Sequence, residues 1–272
     1  MSNHHLRCCN IKKSITAIII LISLSTVGYF ITTTNAADLT PSDDLTAQSD
    51  ALSANSSITS DVTNNATIIE AKNYNLDITG TTDTSVQFQK MMNSLPSGST
   101  IELPKGIYKF SSVVKLEDGI KLIASNDVIF KGIGNNTLFS TGNDNSFKGI
   151  EFQNCSTALS VFQKKGLNII NCRFTNNIGY AAINFYGASD SSVANSYFSG
   201  ILKYGILIDN DSSSITIDNN NFDNAKVFGG YDREQISGHV YCLNGTNIKV
   251  TNNILKNSGG QGVIFGYNST TG

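Results

Sequence analysis

Residues 167–174 read Leu-Asn-Ile-Ile-Asn-Cys-Arg-Phe. The stretch returns in altered form as Ser-Ser-Val-Ala-Asn-Ser-Tyr-Phe at 191–198, Ile-Thr-Ile-Asp-Asn-Asn-Asn-Phe at 215–222 and Ile-Lys-Val-Thr-Asn-Asn-Ile-Leu at 248–255. Extended backwards, the last residue of each copy gives the series Phe152, Phe174, Phe198, Phe222, Leu255, at spacings of 22, 24, 24 and 33. Self-similarity at a fixed period of this size marks a solenoid whose coils stack on one another. Five positions before each member stand Phe147, Ile169, Val193, Ile217 and Val250, and seven before stand Leu167, Ser191, Ile215 and Ile248. That is the alternation of a strand with one face buried. A further column, Leu159, Ile183, Leu207, Val240 and Ile264, is expected to point inward as well. Three positions before the Phe comes an Asn column, Asn171, Asn195, Asn219 and Asn252, the residue type that stacks amides along a solenoid and tolerates a left-handed turn. The expected fold is all-β, a single-stranded parallel β-helix with coils of about 24 residues.

Composition agrees with that architecture. The 272 residues are only 15% charged, with a net charge of -2, and Asn, Ser, Thr and Gly occupy the place of charges. Each coil turns sharply several times, and like charges repeated coil after coil repel. The balanced charge argues against a nucleic-acid or anionic-membrane partner. With no Trp, stacking on a sugar falls to Tyr and Phe. No phosphate loop, nucleophile elbow, zinc spacing or dinucleotide fingerprint appears, so no cofactor is expected.

The N-terminus reads as an export signal over residues 1–37: Arg7, Lys12 and Lys13 precede the apolar stretch Ile15 to Ile31, and Asn35-Ala36-Ala37 supplies a small-residue cleavage site. A retained membrane anchor is the competing reading, because this 17-residue stretch, diluted by Ser and Thr, approaches the ~20 a span requires. With the signal removed, the expected location is outside the cell or on its surface, with no membrane contact. Residues 38–68, rich in Ser, Thr, Asn and Asp, read as a disordered linker, and 69–272 as the β-helix domain. The period runs to the last residue with no capping element, so the expectation is a truncated solenoid or one completed by another copy, with the oligomeric state left open. Cys155, Cys172 and Cys242 fall in apolar strand patterns and read as buried thiols.

Between linker and coils, Thr84 and Gln87 occupy the N-cap and N3 positions of a short helix, and Phe88, Met91, Met92 and Leu95 follow at helical spacing. Then Ile101-Glu102-Leu103-Pro104-Lys105-Gly106-Ile107-Tyr108-Lys109-Phe110 gives two alternating strands. This segment, through Tyr74, Gly80, Asp83, Leu103, Pro104, Gly106 and Tyr108, resembles the N-terminal signature of the pectate lyase superfamily, which includes the rhamnogalacturonase-like proteins. Asn75-Leu76 stands where that pattern has Gly-Ala. The resemblance implies a right-handed parallel β-helix with the helix closing its N-terminal end, a polysaccharide partner, and allows a divalent cation such as calcium. No cluster of acids is dense enough to name metal ligands.

Candidate site residues come from departures from the repeat. The coil from Phe222 to Leu255 is nine residues longer than 24 and carries a loop with Tyr231, Asp232, Arg233 and Glu234. Functional loops on rigid scaffolds concentrate chemistry in this way, although solenoids also accept neutral insertions. Directly after it come His239 and Tyr241, which alternation about Val240 turns outward together; His239 is the only His beyond His4 and His5. Neighbouring outward positions are Asn184 and Phe265, and the group is the expected glycan strip. A uronan lyase would need His239 or Tyr241 as base and Arg233 on the carboxylate, and a hydrolase two carboxylates at ~5–9.5 Å. Asp209, read in the column of Val161, Phe185 and Cys242, is either a turn residue with Asp211 or a partner of the loop acids. Tyr204-Gly205-Ile206 before Asp209 resembles part of a mannuronan epimerase motif that lacks its Pro-His here. Arg173, outward on another strand, is a second cation for a uronate. The expected activity is cleavage of an acidic polysaccharide by elimination or hydrolysis, with a non-catalytic polysaccharide-binding adhesin and a uronan epimerase as alternatives.

Overall fold

A computed structural model describes residues 68–225, 237–266 and 269. The expected signal 1–37, all of the expected linker except Ile68, and loop residues 226–236 lie outside the described residues. Nineteen strands, one α-helix (Ser85–Ser94) and one 3-10 turn (Ala71–Tyr74) make up the described chain. No helix among the described residues is long and apolar enough to cross a membrane. The strands pair in parallel with the next coil, so the fold is the expected β-helix, and its coils contribute to three sheets. Sheet one contains Asn168–Ile170, Ser189–Ala194, Ser212–Asp218 and Gly245–Thr251. Sheet two contains the start of Arg173–Tyr186, then Tyr197–Ile201, Asn221–Ala225 and Ile254–Lys256. Sheet three contains the end of Arg173–Tyr186, then Tyr204–Asp209, Gly238–Cys242 and Gln261–Phe265.

In-register stacking places each Phe of the repeat on the one below. Phe152 and Phe174 lie 5.0 Å apart at 7°, Phe174 and Phe198 4.7 Å apart at 12°, and Phe198 and Phe222 4.3 Å apart at 12°. All four rings are buried. Burying such a ring is worth about 1.5–3 kcal/mol, and an aromatic pair adds about 0.5–1.5 kcal/mol. At the N-terminal end the helix sets Phe88 edge-on against Tyr108, Phe110, Phe130 and Phe139, with Met91 and Met92 buried beside it. The helix starts where expected, but Thr84 makes no side-chain cap bond. Asp83 takes that role instead, accepting from the Ser85 amide at 3.0 Å and the Ser111 amide at 3.1 Å. Partial burial favours the protonated acid, yet the bonds from Ser111 and Ser85 outweigh it and hold Asp83 at about 2.

The Asn column turns the chain from sheet one into sheet two. Asn171, Asn195, Asn219 and Asn252 have φ of 54°, 54°, 52° and 54°. Asn219 Nδ2 donates to Asn195 Oδ1 at 2.7 Å, and Asn252 Nδ2 to Asp218 Oδ1 at 2.8 Å. Both expected roles, left-handed turn and amide ladder, are present. One residue later runs a second ladder: the Cys172 amide donates to Ser196 Oγ, that of Ser196 to Asn220 Oδ1 and that of Asn220 to Asn253 Oδ1, at 3.1, 2.9 and 2.8 Å. Cys155, Cys172 and Cys242 are free and buried, and burial pushes the thiols of Cys155 and Cys172 up to about 12.

Sheet three departs from the expected register. Ile183 pairs with Leu159 below but with Ile206 above, so this coil is one residue shorter than 24, and the same shortening separates Val240 from Val263. A slip of one residue exchanges the faces of a strand. The inward column is therefore Leu159, Ile183, Ile206, Val240 and Val263, whereas Leu207 and Ile264, expected inside, pack with Tyr241 in a separate apolar cluster. Ile206, Ile208 and Val263, which alternation about Leu207 and Ile264 would turn outward, belong to the core side.

Replacing Asn219 by Ala is expected to cost about 1–2 kcal/mol, because Ala lacks both the tolerance of Asn for a left-handed backbone and its bond to Asn195, and Asn219→Gly distinctly less. Denaturant unfolding of the two variants against the parent measures the difference.

Candidate functional site

A strand that crosses a corner cannot keep strict alternation, and sheet three begins at one. Ala182 and Ile183 are both on the core side, as are His239 and Val240. Register places His239 in a column with Gly205 below and Gly262 above. The missing side chain at Gly205 lets the His239 backbone and the Phe222 ring approach: a Cβ there would lie 2.3 Å from the His239 carbonyl oxygen and 3.0 Å from the Phe222 ring. His239 is accordingly 2% exposed, its ring 5.5 Å from that of Phe222 and its Nε2 3.0 Å from the Lys256 carbonyl oxygen. Burial lowers its pKa, against the opposing hydrogen bond to Lys256 and the charge of Asp223. The expectation of an outward catalytic His239 is corrected: it is a neutral core group at the corner.

Tyr241 does point away from the core, as expected, in the column Ser160, Asn184, Leu207, Tyr241, Ile264. Its ring stacks on Tyr204 at 5.3 Å and 10°, and Tyr204 meets Tyr180 edge-on at 5.6 Å. Lys203 Nζ lies 5.2 Å from the Tyr204 ring and 5.6 Å from the Tyr180 ring, a cation over two π faces. Burial first, then the neighbouring phenols of Tyr180 and Tyr241, push Tyr204 up to about 12, so it remains a hydrogen-bond donor at neutral pH. Asn184 Oδ1 is buried with no hydrogen-bond partner.

Beside this column runs Phe162, Tyr186, Asp209. Phe162 and Tyr186 stack at 5.3 Å and 6° while remaining 55% and 37% exposed. The expected column of Asp209 with Val161, Phe185 and Cys242 is thus corrected by the same one-residue slip; Ile208 fills that inward place. Asp209 Oδ1 accepts from the Asn210 amide at 2.7 Å, and Asn210 and Asp211 both have positive φ, so the turn reading of Asp209 holds geometrically. Asp211 is held by Asn244 at 2.8 Å. Phe265, expected on the outward strip, pairs with Cys242 in the inward column and is 40% exposed.

Sheet three therefore presents a ledge: the open Phe162–Tyr186 pair, the Tyr180–Lys203–Tyr204–Tyr241 cluster, Asn184 and Asp209. Tyr231, Asp232, Arg233 and Glu234, expected to roof it, lie outside the described residues. Arg173 stands on sheet two, as expected apart from the strip. The aromatic pairs escaped the sequence reading although Phe162 and Tyr186, like Tyr180 and Tyr204, are each 24 residues apart, which is the signal that finds them. Among the described residues no group of three or more His, Cys, Asp or Glu is placed to hold a metal ion.

Residues 109–271, more than half of the chain, match the family model described as a right handed beta helix region. The chain belongs to this family. No curated protein matches it in sequence. Among solved structures it is similar to PfbA, a surface adhesin of Streptococcus pneumoniae, at 19% identity and a TM-score of 0.55 over 69% of this chain and 56% of that one. An iota-carrageenase complexed to iota-carrageenan fragments matches at 15% identity and a TM-score of 0.51, over 68% of this chain and 54% of that chain. The catalytic unit of an alpha-1,3-glucanase from Streptomyces thermodiastaticus matches at 14% identity and a TM-score of 0.51, over 73% and 42%. The chain spans about half the length of these proteins, and the likeness is one of fold.

His239 supplies a pH test. A pKa depressed on folding means that the unfolded chain binds the proton first, so this contribution to stability is complete above about 6.5 and declines as pH falls below it. Unfolding midpoints of the parent and His239→Gln are expected to differ most near neutrality and to converge toward pH 5, where the buried ring resists protonation. A constant gap across that window would place the ring in solvent.

Proposed function

We propose that the protein is an extracellular or surface-attached polysaccharide-binding protein that holds its polymer along the sheet-three ledge. The observation that carries this reading is the Phe162–Tyr186 pair, stacked on successive coils and left open to solvent. Exposed rings projecting from a rigid sheet offer apolar surface to sugar rings, and the half-exposed Tyr180 and Asp209 beside them offer polar partners. A solenoid repeats such a face along its length, which suits a polymer. Solved structures of the same fold include an adhesin and hydrolases of polysaccharides, so the scaffold is compatible with either use, and the site has to decide. Secretion follows the reading of residues 1–37.

Cleavage is the second reading, and one observation favours it: the segment carrying Asp232, Arg233 and Glu234 runs directly into Ser237 and Gly238, beside Tyr204 in the sheet-three register. Within the described ledge Asp209 is the carboxylate, and hydrolysis requires a second. With His239 in the core, elimination would draw its base from Tyr241 and its cation from Lys203 or Arg233. An epimerase would need the same base and cation.

Purified protein incubated with pectins, alginates, carrageenans and neutral glucans separates these readings. Binding without new ends is expected, and Phe162→Ala combined with Tyr186→Ala is expected to weaken it about tenfold or more with an unchanged unfolding midpoint, because both side chains are exposed. New reducing ends make the protein a hydrolase and unsaturated ultraviolet-absorbing ends a lyase. Unaltered binding by the double variant removes the ledge as the site.

A further inference from the structure

Sheet two carries an outward cleft of about 460 Å³, lined among others by Lys105, Ile107, Asp127, Ile129, Glu151 and Arg173. Its floor is bare at Gly149, where φ is 74° and a Cβ would lie 2.4 Å from the Ala124 carbonyl oxygen. Ile107, Ile129, Glu151, Arg173 and Tyr197 form one outward column. Two residues along, on the same face, runs Lys109, Lys131, Gln153 and Thr175.

The charges of these columns are unequally satisfied. Lys105 and Asp127 neutralise each other at 2.6 Å. Glu151 is engaged by Gln153 at 2.8 Å, by the Thr175 hydroxyl and by Arg173 Nε at 3.5 Å. Arg173 also lies over the Tyr197 ring, with Cζ 4.7 Å from its centroid. These contacts hold the guanidinium by its Nε and its face, and the two terminal nitrogens make no hydrogen bond with described residues. Lys131 has no ion pair or hydrogen bond there, although it stacks in register directly over Lys109. Lys109 reaches only the Thr81 carbonyl at 3.4 Å, and Asp83 beneath it is engaged by Ser85 and Ser111.

Opposed like charges destabilise a sheet. Glu151 beneath Arg173 obeys that rule, and Lys131 over Lys109 breaks it. A held guanidinium fork matches the two oxygens of a carboxylate and loses little freedom on binding one. We propose that this cleft is a saccharide site separate from the ledge, specific for carboxylated sugars. One carboxylate docks on the free edge of Arg173, the sugar ring lies against Ile107 and Ile129, and a further charge of the same chain lies over Lys131 and Lys109. By strand spacing and rise the two positions are roughly 12 Å apart. An anionic chain relieves the lysine repulsion, and a neutral one leaves it in place.

The test titrates the protein with a de-esterified oligogalacturonide, a sulfated oligosaccharide and a neutral oligoglucoside of equal length, at low and at physiological ionic strength. The oligogalacturonide is expected to bind best and to weaken with added salt. Arg173→Gln is expected to reduce its affinity about tenfold, and Lys131→Gln about threefold. The fold-loss caused by Arg173→Gln is expected to be the same in the parent and in the double variant of Phe162 and Tyr186, so the cleft and the ledge stand or fall separately. Equal binding by Arg173→Gln, or equal binding of the neutral chain, overturns the site. Tighter binding of the sulfated chain overturns the carboxylate assignment, and loss of the Arg173→Gln effect in the ledge variant moves the anion site to sheet three.

Discussion

A parallel coil that lies in register on the one beneath sets each side chain against its counterpart, and the rest of the molecule depends on that constraint. Apolar flat rings profit most: Phe152, Phe174, Phe198 and Phe222 become one continuous stack with nearly parallel planes. Amides profit next, since each can donate upward and accept from below, and the two polar ladders beside the sheet-two strands use both capacities. Charges profit least, because a repeated charge meets itself. The low charge content of the chain follows from this constraint rather than from any property of its partner.

The same constraint explains what the sequence makes legible. Where coils keep one length, a column can be read by counting, and the Phe and Asn columns follow the count. The turn chemistry is equally plain, because a non-glycine backbone at φ near 54° favours Asn and every coil repeats it. The helix start is less legible: Asp83 and Thr84 are adjacent cap-formers, and only the position of Ser111 on a neighbouring strand decides that Asp83 takes the bonds.

Sheet three is where counting fails, for two separate physical reasons. A coil shortened by one residue keeps its apolar composition, so Ile206 and Leu207 are interchangeable in a pattern although only one of them faces the core. At the corner the backbone bends and two successive residues face inward, which no period of two contains. His239 is inside for that reason, with Gly205 and Gly262 in register on either side of it. The outward aromatics of the ledge are legible at an offset of 24 residues, although Phe162 and Tyr186 directly follow the core residues Val161 and Phe185 and so sit inside an apolar run.

Departures from in-register compatibility are therefore more informative in this fold than the residues that obey it. A surface Lys elsewhere has many directions in which to avoid a like charge, but in a stacked coil the neighbour is set by the backbone about 5 Å away. Glu151 beneath Arg173 and Asp223 beneath Lys256 show the ordinary solution, alternation of sign. Lys131 over Lys109 departs from it, with Asp83 beneath Lys109 as the opposite charge of the column, and the same face holds a guanidinium fixed by one edge and open at the other. The lysine pair weakens a solenoid that has no use for it, since removing either charge would relieve the repulsion without touching the core, and the guanidinium keeps an open edge beyond what its pairing with Glu151 requires. Their coincidence on one face is better accounted for by an anionic partner than by folding.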